Sequence, residues 1–134
     1  MTLDELPDAV RRAGELALER KAEDVVVMDL RGISSATDHF VIASGNSDIQ
    51  VKAIANHILD ELKELGERPD HVEGLDSGRW VLMDYINLVV HIFHPRARDF
   101  YQLEGLWGDA PRVVMEEGGG PEADGGPSQP ALRG

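Results

Sequence analysis

A chain of 134 residues, 42% of them hydrophobic, is long enough for one compact domain and too short for two of ordinary size. Thirteen Lys and Arg against twenty-five Asp and Glu leave a formal net charge of −12, which disfavours nonspecific binding to phosphate backbones and favours a basic partner. The lack of cysteine removes disulfides, thiolate nucleophiles and Cys-based zinc sites, no run approaches the roughly 20 apolar residues of a membrane span, and Met1 to Asp8 carry no readable targeting signal, so a cytoplasmic protein is expected.

In chain order, Leu6, Val10, Ala13, Leu16 and Ala17 recur at helical spacing, with Pro7 tolerable only in the first turn. Val25 to Leu30 is an almost unbroken β-branched run, the pattern of a strand covered on both faces. A small and polar connection leads to a second buried strand, Phe40 to Ala43, which Ser44-Gly45-Asn46 ends. Ser47 with Gln50 three positions later forms a capping box, Val51, Ile54, Ala55, Ile58, Leu62 and Leu65 trace one apolar stripe, and Gly66 supplies the C-terminal cap. A short peripheral strand is expected around His71 to Glu73, because Pro69 forbids a long central one.

Trp80 to Tyr85 and Leu88 to Phe93 are two strands at hairpin spacing. Ile86 is β-branched and resists positive φ, so Asn87 alone is expected to take the left-handed conformation. Pro95 opens a last helix in which Phe100, Leu103 and Trp107 share a face, and Gly108 with Pro111 stops it. Beyond it lie Gly, Pro, acids and small polar residues, too few apolar side chains to offset an ordering entropy of about 1–2 kcal/mol per residue. The expected organisation is a domain over 1–111 and a disordered tail over 112–134. The fold class is α/β, a single mixed sheet of about five strands with helices packed on it.

Catalytic constellations are sparse. Gly32-Ile33-Ser34-Ser35-Ala36 precedes a strand, whereas a nucleophile elbow follows one. Of the five histidines, at 39, 57, 71, 91 and 94, only the last two are close, and without carboxylates they make a poor metal site. Ser44-Gly45-Asn46 offers amides at a helix start but no lysine for a triphosphate, so a capping turn is the better reading. Two-metal nucleotidyl transfer needs neighbouring acids, whereas Asp84 is followed by Tyr85 and Ile86, and Asp48 stands alone at the start of a helix. No metal or cofactor is expected.

The hairpin carries a more distinctive pattern. Period-2 alternation sends Val81, Met83 and Tyr85 to one face and Trp80, Leu82 and Asp84 to the other. A carboxylate rarely sits buried and unpaired, so the Asp84 face is expected to reach solvent, displaying an indole and a leucine beside an acid. Such a cluster suits a protein interface that selects a Lys or Arg on its partner. If the last helix covers this face instead, Trp80 is simply core.

Three blocks of sequence resemble the Iojap-related ribosomal silencing factors over nearly all of residues 3 to 111. The first runs from Lys21 through Val25-Val26-Val27-Met28-Asp29-Leu30 and Ser34-Ser35-Ala36-Thr37-Asp38-His39-Phe40 to Ser44-Gly45-Asn46-Ser47. The second is Val72-Glu73-Gly74 with Trp80-Val81-Leu82-Met83-Asp84-Tyr85 and Val89-Val90-His91-Ile92-Phe93, and the third is Arg98, Phe100-Tyr101, Leu103-Glu104 and Leu106-Trp107. One departure is the hairpin turn, where Ile86-Asn87 stands in place of the family's usual Gly-Asp. The resemblance implies a nucleotidyltransferase-like fold without catalysis. It implies docking on the large ribosomal subunit through its fourteenth large-subunit protein, obstruction of small-subunit joining, and repression of translation under nutrient limitation. Trp80, Leu82, Asp84 and Tyr85 would form the docking surface, with Glu73 and Asn87 at its rim, and a homodimer is compatible with the resemblance. The alternatives are a nucleotidyltransferase-like enzyme and a factor for large-subunit assembly.

Overall fold

The structure is a computed structural model that describes residues 2–95, 97 and 110–116. After a turn of 3-10 helix at Leu3–Glu5, the elements are α1 (Asp8–Glu19), β1 (Glu23–Asp29), β2 (His39–Ser44), α2 (Asp48–Glu64), β3 (His71–Glu73), β4 (Trp80–Asp84), β5 (Leu88–Phe93) and β6 (Arg112–Met115).

Local chemistry accounts for the long helix. Ser47 accepts a hydrogen bond from the Gln50 amide at 3.1 Å, while the Gln50 side chain turns back to accept from the Asn46 amide at 2.6 Å, one residue earlier than a regular capping box requires. At the other end Gly66 takes φ 86°, and its amide and that of Glu67 close onto the Lys63 and Leu62 carbonyls, which is the Schellman arrangement. Between these caps Val51, Ile54, Ala55, Ile58 and Leu62 are all buried. Each of the larger ones contributes on the order of 2 kcal/mol of transfer free energy.

The sheet runs β3-β4-β5-β2-β1-β6, with β2 parallel to β5 and every other pair antiparallel. It is the expected α/β architecture with a single mixed sheet, at six strands where about five were expected. Both helices lie on one face, against Val25, Val27, Val41, Ala43, Val81, Met83, Val90 and Ile92. The opposite face carries a second cluster that includes Val26, Met28, Phe40, Ile42, Val89 and Phe93, with Trp80 and Leu82 packed at its margin. Ala97 and Ala110 also pack on this second face. The expected helix residues Phe100, Leu103 and Trp107, and the stretch 117–134, lie outside the described residues.

Two expectations require correction. The folded chain does not stop at residue 111: Arg112–Met115 pairs antiparallel with β1, Val113 opposite Val27 and Met115 opposite Val25. Val113 and Met115 point to the helix side, and the Met115 thioether fills the space left by Gly14 on α1, where a Cβ would lie 2.3 Å from its sulfur. The strand is held by tertiary contacts that a four-residue alternation beside Pro111 does not announce. At the hairpin tip, Ile86 and not Asn87 takes positive φ, at 76°. The Asn87 amide donates to the Tyr85 carbonyl at 3.0 Å, so Ile86 is the centre of a three-residue γ-turn. Two bonds hold this strained residue in place: its own amide donates to the Asp84 carboxylate at 2.8 Å, and the Tyr85 amide donates to the Leu88 carbonyl at 2.7 Å.

Candidate functional site

Strand β4 alternates as its sequence demands. Val81 and Met83 are fully buried against the helices, while Trp80, Leu82 and Asp84 face the other way and are partly exposed. Its neighbours extend the pattern. Leu82 lies between Glu73 of β3 and His91 of β5, Asp84 between His71 and Val89, and Trp80 opposite Phe93. Four of the six expected site residues, Glu73, Trp80, Leu82 and Asp84, therefore share one face near the β3 edge of the sheet. His71 and Glu73, two apart and so on one side of their strand, hydrogen-bond through imidazole and carboxylate, and both are well exposed.

Trp80 is anchored as well as displayed. Its ring stacks on Phe93 at 5.1 Å between centroids, and its indole N–H donates to Nδ1 of His91 at 3.1 Å. His91 is buried, meets Phe40 edge-on at 4.5 Å, and burial pushes its pKa down to about 4. A neutral imidazole can accept at Nδ1, so the indole bond and the desolvation favour the same protonation state. The backbone before the strand is equally constrained. Gly74, at φ 86°, lets the Trp80 carbonyl approach so closely that a Cβ would sit 2.0 Å from it.

Tyr85 and Asn87 do not join this face. Tyr85 packs against the helix-side core, its hydroxyl is buried with no hydrogen-bond partner, and burial followed by the charge of Glu67 raises its pKa to about 12. The Asn87 carbonyl receives the Asp38 and His39 amides at 3.2 and 3.1 Å, tying the hairpin tip to the start of β2. Tyr85 and Asn87 line a cavity of about 360 Å³ with the first turn of α1.

The carboxylates considered for two-metal chemistry are kept apart. Asp48 touches Gly78, where a Cβ would lie 2.7 Å from the Asp48 carbonyl, just before the start of β4. Asp84 is at the far end of that five-residue strand, which is itself about 13 Å long at the usual rise. No group of three or more His, Cys, Asp or Glu among the described residues is arranged to hold a metal ion. No helix among them is long and apolar enough to cross a membrane.

Sequence reasoning passed over His91 as an indole acceptor and His71 as the partner of Glu73. The signal was available. A two-residue hairpin loop at 86–87 pairs residues whose numbers sum to 173, which puts Leu82 opposite His91 and Trp80 opposite Phe93.

Residues 3–131 match the family described as "Ribosomal silencing factor during starvation". The Ribosomal silencing factor RsfS of Bacillus subtilis is 47% identical over 100 residues, covering 75% of this chain and 85% of that one. A solved structure from Bacillus halodurans is 41% identical, with a TM-score of 0.68, over 77% of this chain and 93% of the other. More distantly, the "Mitochondrial assembly of ribosomal large subunit protein 1" of Mus musculus is 33% identical over 95 residues, 69% of this chain and 42% of that protein.

Proposed function

From membership of the ribosomal silencing factor family, to which this chain belongs, we propose that the protein docks on the large ribosomal subunit through its fourteenth large-subunit protein and excludes the small subunit. The action is steric. A folded domain seated where the subunits meet occupies volume the small subunit must enter, so translation falls without any bond being made or broken, in the cytoplasm and under nutrient limitation. The docking surface is the face of β3 and β4 opposite α1 and α2: Trp80 and Leu82 as apolar anchors, Asp84 and Glu73 as acids that select a basic partner. Tyr85 and Asn87 form a separate flank around the hairpin tip.

The observation that carries this reading is an indole and a leucine left partly exposed beside two carboxylates at one sheet edge, in a chain of net charge −12. The wide separation of Asp48 and Asp84 weighs against the enzyme alternative.

The test is sedimentation of the purified protein with isolated large subunits, followed by a subunit-joining gradient. The protein should travel with large subunits, more weakly as salt rises, and deplete joined ribosomes. Leu82→Arg and Glu73→Lys should each weaken association ~10-fold or more while the unfolding temperature stays put. Full association by both variants would remove the proposed surface.

A further inference from the structure

The tip of the β4–β5 hairpin is disfavoured on two separate counts. Ile86 holds a left-handed backbone at φ 76°, which a β-branched side chain resists and a glycine accepts freely. Its side chain is also 58% exposed, so little burial within this chain offsets that backbone cost. Nor is the residue left loose. Its amide donates to the Asp84 carboxylate at 2.8 Å, and the Asn87 amide closes the turn onto the Tyr85 carbonyl at 3.0 Å. The Asn87 carbonyl in turn receives the Asp38 and His39 amides from the start of β2. An apolar residue fixed in this way, strained and turned to solvent, gives the fold nothing that a glycine would not supply better.

Its neighbour shows what the tip is for. Asp84, which holds the Ile86 amide, stands on the same face of β4 as Trp80 and Leu82, and its carboxylate keeps acceptor capacity for a cation beyond that one bond. We infer that Ile86 is a further anchor of the large-subunit interface, an apolar knob that enters a socket on the basic partner protein beside a Lys or Arg paired with Asp84. The inference rests on the docking proposed above and extends that surface from the strand face onto the hairpin tip. Asp38 and Asp84 are both bonded to this turn, which favours a basic protein over a phosphate backbone as the occupant. Fixing the backbone in advance also suits an anchor, because little freedom remains to be lost on docking.

The experiment sediments the full chain and its variants with isolated large subunits and measures their melting temperatures in parallel. Ile86→Gly and Ile86→Asn both suit a left-handed backbone, so each should weaken association ~10-fold while melting at or above the temperature of the parent. A residue with a purely structural role would not lose binding as the fold gains stability. Ile86→Leu, which keeps an apolar side chain, should recover most of the association. Ile49→Ala removes an isoleucine that is 77% exposed at the start of α2, beyond the opposite end of β4, and should leave association unchanged. Association of both polar or truncated tip variants within about 2-fold of the parent, while Leu82→Arg releases the protein, would overturn the anchor and leave the docking face standing. A parent that fails to sediment with large subunits would bring down docking and anchor together. Self-association that both tip substitutions abolish, with large-subunit binding intact, would assign the tip to a second copy of the chain and overturn the inference as well.

Discussion

Truncating Trp80 to alanine should damage the fold as well as any partner surface, and the structure sets the size of the damage. A fully buried tryptophan loses about 3–5 kcal/mol on such a change. Trp80 is partly exposed, so its packing on Phe93 and Leu82's cluster accounts for about half of that. The change also strips the buried His91 Nδ1 of the indole donor at 3.1 Å, leaving an orphaned acceptor worth about 1 kcal/mol or more. Together these give about 3 kcal/mol, a fall in melting temperature of roughly 10–15 °C for a domain of this size. Trp80→Phe keeps the stack and loses only the N–H, so it should fall by about half as much. Thermal denaturation followed by circular dichroism measures both, with the indole N–H resonance reporting the bond to His91. If Trp80→Ala melts within about 2 °C of the parent, the ring contributes nothing to this packing. Because loss of Trp80 weakens the fold itself, Leu82 and Glu73 test ribosome docking better than Trp80 does.

Three other outcomes follow from the geometry. Ile86→Gly should raise stability by up to about 1 kcal/mol, because relief of roughly 1–2 kcal/mol of positive-φ strain exceeds the entropy of a more flexible unfolded chain; a lower melting temperature would show that the exposed isoleucine is not strained. Gly74→Ala should destabilise by about 2 kcal/mol or more in denaturant titration, since its Cβ meets the Trp80 carbonyl at 2.0 Å in a left-handed backbone; a neutral result would mean that β3 and β4 part freely. Acid should weaken the protein in two stages. His91 titrates near 6.5 when unfolded and near 4 when folded, so the unfolded chain takes up the proton first and on the order of 3 kcal/mol is lost as pH falls from about 6.5 to 4. Asp29, held down to about 2 by its hydrogen bonds from Arg31, adds a smaller loss between about 3.8 and 2. Stability that stays flat from pH 7 to 4 in urea titrations would contradict a desolvated His91.

Much of the fold is legible because its causes are local. The stripe and caps of α2 depend on spacing and on a few side chains within two turns, so Ser47, Gln50 and Gly66 announce both ends of the helix. The alternation of β4 puts Trp80, Leu82 and Asp84 on one side for the same reason: successive residues of a pleated strand must point to opposite faces. The likeness of residues 3 to 111 to ribosomal silencing factors is likewise carried in residue order alone.

Other features arise only when distant segments meet. Strand β6 exists because Val113 and Met115 find β1 and the gap at Gly14, some 80 or more residues away in sequence, and short-range periodicity carries no record of that pairing. Tyr85 was grouped with the docking residues by resemblance, but the pleat turns it to the helix side, into a cavity closed by the first turn of α1 and by Asp38. Ile86 takes the left-handed backbone against its own preference because register on both strands, and its bond to Asp84, leave the turn no other path. Patterning within a segment dictates which way its side chains point, whereas what they meet is settled by long-range packing, where a few kilocalories of tertiary contact override local propensity.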